Sequence, residues 1–308
     1  MSDLVNYNEQ PRVLFIGGSG QLGIEVKSLK DKKNNFIFPS SSLLDLTNTQ
    51  SISDCLDDKI PDIIINAGAY TNVDKAEEEK ELCNKINNIG VELLAKEAIK
   101  RNIGIIHIST DYVFGKDSSG PFQAKNKTNP VNYYGKSKAL GEAALINIHN
   151  KSMIIRMASL FSVYKSNFVK NIFHYLINQD EVRVIADQKI SLTYAGDFSK
   201  NINEIIDFYY SIEKKEDSND RIIHFVSPEY TNWFSVAKVI YNEIYLHDNN
   251  LIKADLIPIE MHEWNSKAVR AKDTRLKVDD YQLSSKNINL TNWEDAVRLV
   301  VRDLIKQI

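Results

Sequence analysis

Gly18, Gly20 and Gly23 follow directly on the apolar run Val13-Leu14-Phe15-Ile16 and precede the helix-compatible stretch from Ile24 to Leu29. An uninterrupted run of four apolar residues is expected of a strand buried on both faces of a parallel sheet, and a parallel sheet in turn demands crossover helices. The glycines satisfy G-x-G-x-x-G and, counted from Gly17, also G-x-x-G-x-x-G. Lacking a Cβ, they permit a tight turn and let the backbone approach a pyrophosphate that lies on the N-terminus of the following helix. A glycine loop alone is often only a turn. Strand, loop and helix in this order predict an α/β fold with a doubly wound parallel sheet and a dinucleotide at its first turn.

The end of the second strand selects between nicotinamide cofactors. An acidic residue there bonds the ribose 2′-hydroxyl and repels a 2′-phosphate. Here Phe36-Ile37-Phe38 runs into Pro39-Ser40-Ser41-Ser42, with neither Asp, Glu nor Arg. NADP(H) is therefore favoured, with Ser40 and its neighbours offering hydroxyls, and NAD(H) is not excluded. Two further strand ends belong to the same site. Ile63-Ile64-Ile65 leads into the small residues Asn66-Ala67-Gly68-Ala69, and Ile105-Ile106-His107-Ile108 leads into Ser109-Thr110-Asp111-Tyr112-Val113-Phe114. Ligands of doubly wound sheets gather at the carboxyl ends of strands, so Thr110 and Asp111 fall where a substrate should lie. Turn or helix-cap duty is the ordinary alternative for Ser109 and Thr110.

About 25 residues further on comes Tyr134-Gly135-Lys136-Ser137-Lys138. On a helix, residues four apart share a face, which puts the Lys138 ammonium beside the Tyr134 phenol. A neighbouring positive charge is expected to draw the phenol down from its usual ~10, towards a group that exchanges a proton with a carbonyl or alcohol oxygen near neutral pH. A surface helix can carry the same spacing by chance, so the argument rests on the company the pair keeps. Tyr133 has Ser137 at that spacing and is not a candidate.

With these stretches in hand, the chain resembles the dTDP-4-dehydrorhamnose reductase family of extended short-chain dehydrogenases/reductases, a Rossmann-type fold. The resemblance runs through Phe15 to Gly23, through Asn66-Ala67-Gly68-Ala69-Tyr70-Thr71-Asn72-Val73-Asp74-Lys75-Ala76-Glu77, and through Ser109 to Phe114. It continues with Asn129-Pro130, the Tyr134–Lys138 segment, Gly141-Glu142, Asn167-Phe168-Val169-Lys170, Asp187-Gln188 and the C-terminal Trp293 segment. It implies that Gly17, Gly20, Gln21 and Leu22 line the pyrophosphate, Asp45 and Leu46 the adenine side, and Ala69, Tyr70 and Thr71 the middle of the cofactor. Tyr134 would be the catalytic acid and Lys138 would hold the nicotinamide ribose, while Thr110 and Asp111 meet the sugar. Deoxysugar and polysaccharide biosynthesis is the implied setting.

Three departures from the family pattern all lie on the substrate side. Ser159 stands where the family usually has a Trp, within Arg156-Met157-Ala158-Ser159-Leu160-Phe161. The loop after Gln188 reads Lys189-Ile190-Ser191-Leu192-Thr193 in place of a Gly/Ala-Pro-Thr pattern, and an Arg-Pro pair appears as Arg270-Ala271. A missing indole at 159 opens space and leaves a hydroxyl beside the sugar.

The remaining sequence is consistent with such an enzyme. Its 308 residues are enough for a dinucleotide domain and a smaller substrate-binding part, and a net charge of −3 gives no reason to expect nucleic acid or an anionic membrane. Cys55 and Cys83 are too few for a disulfide framework and read as free thiols of a reducing cytoplasm. No apolar run reaches the ~20 residues of a membrane span, and the polar stretch from Met1 to Gln10 reads as a loose tail. The six histidines show no metal-ligand spacing, so no metal is expected, and His107 reads as a core residue. Glu77-Glu78-Glu79-Lys80-Glu81 reads as a solvated helix face, and Lys214 to Asp220 as an exposed polar loop.

The organisation expected is a dinucleotide domain over 11–165 plus about 194–226, interleaved with a substrate part over about 166–193 and 227–308. Helices over Ile86–Arg101 and Lys136–Asn147 supply crossovers, the first with an apolar stripe of Ile86, Ile89, Leu93, Leu94 and Ala98. Partners are limited to the nucleotide-sugar substrate and, at most, a second copy of the chain. Two functions fit: reduction of the C4 ketone of a nucleotide-linked 4-keto-6-deoxy sugar, or an NADP-binding, non-catalytic regulatory subunit on the same fold. The complete set of Thr110, Tyr134 and Lys138 favours the enzyme.

Overall fold

A computed structural model describes residues 10–29, 33–213, 221–278 and 288–308. The polar stretch 214–220 and residues 1–9 of the tail lie outside the described residues.

Six parallel strands form the central sheet: β1 (Arg12–Ile16), β2 (Asn35–Ile37), β3 (Ile63–Asn66), β4 (Gly104–Thr110), β5 (Met153–Met157) and β10 (Ile222–His224), in the order β2-β1-β3-β4-β5-β10. Their side chains explain the two-layered cover. Val13 and Phe15, Ile63 and Ile65, Ile106, Met153 and Ile155 face one apolar cluster, which α1 (Gln21–Ser28) and α8 (Ile202–Glu213) complete. Leu14 and Ile16, Ile64, Ile105 and Ile154 face the other, completed by α2 (Thr49–Lys59) and α4 (Gly90–Lys100). Strand residues alternate between faces with period two, so a strand apolar at every position buries both faces. The doubly wound parallel sheet expected from the sequence is what the chain adopts.

One helix differs from its expected stripe. Lys80–Asn84 (α3) continues through a π-helical turn, Lys85–Ile89, into α4. The buried face is Cys83, Asn87, Val91, Leu94, Ala95 and Ala98, while Ile89 is exposed and Ile86 and Leu93 are only half-buried. A polar residue holds the inward position because it has bonds to make there. Asn87 Nδ2 donates to the Tyr70 carbonyl at 3.0 Å and to Ser137 Oγ at 3.0 Å, and its Oδ1 accepts from the Tyr70 N–H at 2.8 Å. Apolar periodicity cannot foresee such a swap.

The rest of the chain builds a third apolar cluster beside the two on the sheet. α6 (Phe168–Asn178) contributes Val169, Ile172, Phe173 and Leu176 at helical spacing. Against it pack α9 (Trp233–His247), the C-terminal helix α10 (Trp293–Ile305), and the parallel pair β7 (Glu181–Ile185) and β12 (Asp255–Ile259). The short strands β6 (Leu160–Phe161) and β9 (Thr193–Tyr194) pair where a sheet cluster meets the third, β8 (Lys189–Ile190) pairs antiparallel with β11 (Thr231–Asn232), and α7 (Ala195–Lys200) leads to α8.

Candidate active site

Between β1 and β3 the strand order turns back, and the glycine loop after β1 and the loop after β3 meet there. At these carboxyl ends opens a cavity of about 540 Å³. Its wall brings together Gly17, Gly20, Gln21, Leu22, Ala69, Thr71, Thr110, Asp111, Tyr134, Lys138 and Ser159.

The cradle end is shaped by absent side chains. Gly17 has φ +89°, and a Cβ there would lie 2.7 Å from the Ala67 carbonyl carbon; a Cβ on Gly23 would lie 2.4 Å from the Gly18 Cα. Gly20 sits at the N-cap of α1, where no side chain caps the helix and no acidic residue occupies the first turn. An uncapped helix N-terminus with its N–H groups turned to a cavity favours an anionic group. Gln21 keeps its amide out of the way: its Oε1 accepts from Asn167 Nδ2 at 3.0 Å and from Ser162 Oγ at 3.3 Å. Ser109 Oγ, buried on the same wall, has no hydrogen-bond partner among the described residues. These features fit a dinucleotide.

The chemical end is assembled by α5 (Tyr133–Ile148), whose glycines let it come close. A Cβ on Gly135 would lie 2.0 Å from the Tyr112 carbonyl oxygen, and one on Gly141 would lie 2.1 Å from the Asn87 carbonyl oxygen. Asn132 caps the helix by accepting from the Gly135 N–H at 2.8 Å. Tyr134 and Lys138 face inward as the spacing predicts, while Tyr133 and Lys136 lie outside the cavity wall. Arg156 of β5 clamps the same helix with a buried bidentate pair to Glu142, at 3.0 Å and 2.6 Å.

The charge states differ from the expected ones. Burial pushes the Tyr134 phenol up, opposed by its hydrogen bond with Thr110. The ammonium of Lys138 does not offset this, because burial pulls Lys138 itself down to about 8. Its Nζ donates to the Ile108 carbonyl at 2.8 Å and lies 3.2 Å from His107 Nε2. His107 is thus a core residue, as read, but one that touches the lysine. Thr110 Oγ1 donates to Asp111 Oδ1 at 3.1 Å and accepts from the Tyr112 N–H at 3.2 Å.

Asp111 is pushed up to about 6, chiefly by burial, against the help of Thr274 and Thr110. A carboxyl whose folded value exceeds the unfolded ~3.9 binds more protons in the folded state between these values, so the contribution of Asp111 to stability falls as pH rises from about 4 to about 6. Asp111→Asn should therefore stabilise the protein at pH 7 by roughly 1–3 kcal/mol and flatten this pH dependence. Urea melts of both proteins at pH 4.5 and pH 7 check it; an unchanged pH slope in the variant would refute the assignment.

Four predicted residues do not line the cavity. Ser40 is exposed, with its Oγ 2.7 Å from Ser42 Oγ. Asp45 accepts from the Thr47 N–H and Oγ1, both at 2.8 Å, a turn cap that holds its carboxyl below the usual range. Leu46 is buried in the apolar cluster beside α2. The Tyr70 hydroxyl donates to Glu79 at 2.7 Å, and only its backbone is fixed near the site, by Asn87. Conversely, Val73, Tyr112, Lys165, Ser166 and Asn167 line the cavity without having been singled out for it. Asn167 carried a signal, since Asn before an apolar helical run is a cap, and it does cap α6. Lys165, at φ +57°, brings a positive charge to the wall from a loop with no local pattern.

The motif from Val73 to Glu77 ties the loop after β3 to the segment around Arg270 and to the start of α5. Arg270 donates to both oxygens of Asp74, at 3.1 Å and 2.9 Å, and Glu77 Oε1 accepts from the Tyr133 N–H at 2.8 Å. Among the described residues no cluster could hold a metal ion, and no helix is long and apolar enough to cross a membrane.

Comparison with known proteins gives a consistent result. The family model described as the RmlD substrate binding domain matches residues 11–306. A dTDP-4-dehydrorhamnose reductase of Aggregatibacter actinomycetemcomitans is 36% identical over 234 residues, 75% of this chain and 79% of the relative. One from Sinorhizobium fredii is 29% identical over 96% of this chain and 98% of its own. The crystal structure of a Bacillus anthracis dTDP-4-dehydrorhamnose reductase in complex with NADP superposes with a TM-score of 0.84 at 29% identity, covering 96% of this chain and all of the other.

Proposed function

The chain belongs to the RmlD substrate-binding-domain family, and from that premise we propose that it reduces the C4 ketone of dTDP-4-dehydrorhamnose or a close relative, in deoxysugar biosynthesis, with NADPH as the favoured reductant and NADH possible. The observation that carries this reading is the meeting, on one cavity wall, of the Tyr134 phenol, Thr110 and Lys138 with the uncapped glycine cradle of α1.

In this reading the backbone at Gly17, Gly20, Gln21 and Leu22 holds the pyrophosphate, and Ala69 and Thr71 line the middle of the cofactor. Bound there, NADPH supplies the hydride. Thr110 and Tyr134 meet the ketone oxygen, and Tyr134 gives it a proton as it becomes an alkoxide. Burial keeps the Tyr134 phenol protonated, the form an acid needs, but also makes it a weaker donor, so a charged Lys138 beside it would be needed to ease the proton's departure. Lys138 stands one turn on, at the ribose. Asp111 and Ser159 face the sugar, and Lys165 offers the negatively charged sugar nucleotide a local attraction that the net charge of −3 does not. The separation of the third apolar cluster from the two on the sheet supports a division into a dinucleotide part, 11–165 plus about 194–226, and a substrate part, about 166–193 and 227–308. A cytoplasmic setting goes with two free, buried thiols.

Incubation of a panel of 4-keto sugar nucleotides with NADPH, following loss of nicotinamide absorbance and assigning products by NMR, tests the reading. Turnover of dTDP-4-dehydrorhamnose at roughly 1 s⁻¹ or more is expected. Tight NADPH binding with no turnover on any member would favour the regulatory-subunit alternative.

A further inference from the structure

The buried groups behind Lys138 form a chain whose direction is set by the backbone. The Gly68 N–H donates to Asn66 Oδ1 at 3.1 Å. That fixes the amide: a flipped Asn66 would turn its NH₂ on the Gly68 N–H, donor against donor. With Oδ1 so engaged, Nδ2 faces His107 Nδ1 at 3.2 Å and must be the donor. His107 is wholly buried, and burial, the larger cause, holds it well below its usual pKa, so the ring is neutral and carries one proton. Since Nδ1 accepts, that proton sits on Nε2. Nε2 lies 3.2 Å from Lys138 Nζ. An ammonium has three donors and no lone pair, so it cannot answer an N–H; an amine can.

We propose that Asn66 and His107 act as positioning residues, forming a one-way hydrogen-bond relay from the Gly68 N–H that holds Lys138 as an uncharged, accepting amine in the cofactor-free protein. The amine still donates to the Ile108 carbonyl, as its geometry requires. The other groups around it do not restore the charge. Tyr134 on the same helix is a protonated phenol, and Cys83, packed from α3, has its thiol pushed up by burial. Glu142, one turn further on, favours the charged form, but its carboxylate is held bidentately by Arg156 from β5. Burial, opposed by Glu142 and Cys83, draws Lys138 down to about 8, and an N–H turned on its nitrogen acts in the same direction as burial. The proposal rests on the reading above only for its bearing on catalysis: Lys138 must gain a proton before it can help ionise Tyr134.

The test is the tautomer of His107, read from long-range proton–nitrogen correlation spectra of the histidine-labelled, cofactor-free protein, with the Lys138 side-chain shifts followed against pH. The Nε2–H tautomer and a Lys138 midpoint below about 7, several units under the usual ~10.4, are expected. Asn66→Asp places a carboxylate that accepts from both Gly68 and His107, so the ring should turn to the Nδ1–H tautomer and the lysine midpoint should rise by roughly one unit or more. A wild-type ring in the Nδ1–H form, with Lys138 charged at pH 7, overturns the relay whether or not the protein turns over a sugar, and needs no variant to fold. Loss of activity on the substrate panel with the Nε2–H tautomer present would overturn the functional reading and leave the relay standing.

Discussion

Tyr134→Phe should lower turnover with the 4-keto sugar nucleotide by about 10²-fold or more while leaving the NADPH Kd nearly unchanged. The phenol is buried on the cavity wall, packed edge-on against Tyr112 with ring centroids 5.5 Å apart. Phenylalanine keeps that ring contact and its apolar area, so the substitution removes one oxygen and one proton. Among the described residues, the other donors at this end are already engaged: Lys138 bonds the Ile108 carbonyl and His107, and the Thr110 hydroxyl donates to Asp111. The loss should therefore appear in kcat and kcat/KM alike, the sign of a group that acts in the transition state. Retention of more than about a tenth of wild-type turnover would assign the proton to another donor.

What the sequence disclosed follows from how local the governing physics is. The glycine loop, β1 and α1 are contiguous, and their signals of apolar run, missing Cβ and helix start reinforce one another within a dozen residues. Tyr134 and Lys138 were legible for the same reason, since four residues on a helix fix a shared face. The phenol's environment was not. An ammonium one turn away should lower it, yet both groups are buried, and desolvation acts against each charged form at once. Burial at that depth depends on Gly135 and Gly141 letting α5 settle on Tyr112 and Asn87, contacts between segments about 20 and 50 residues apart. Asn87 shows the same limit in the other direction, because an apolar stripe through Ile86 and Ile89 is the better local pattern and loses to three long-range hydrogen bonds. Lys165 and Ser166 reach the cavity from the loop before α6, and no residue near them in sequence marks the direction in which that loop turns.

Arg156→Met should be among the most destabilising single substitutions in this chain. Arg156 and Glu142 are both almost wholly buried, with side chains 2% and 4% exposed. The guanidinium donates twice to the carboxylate and once to the Ala124 carbonyl at 3.0 Å, and its flat face rests 4.9 Å from the Phe114 ring centroid. The pair in place contributes little net stability, because desolvating two ions offsets most of their attraction. Removing one partner is different: the other ion is left buried without a counter-charge, at a cost of about 3–5 kcal/mol. Glu142 on α5 would be that ion, one turn from Lys138. For a chain of this length such a loss should lower the melting temperature by roughly 5–10 °C. The double variant Arg156→Met with Glu142→Leu leaves no orphaned charge and should recover a large part of that loss, a non-additive result that simple loss of packing cannot give. Calorimetric melts of the two single variants and the double variant decide it. If the double variant melts at or below the sum of the single losses, the pair stabilises α5 directly, and the orphaned charge is not the cause.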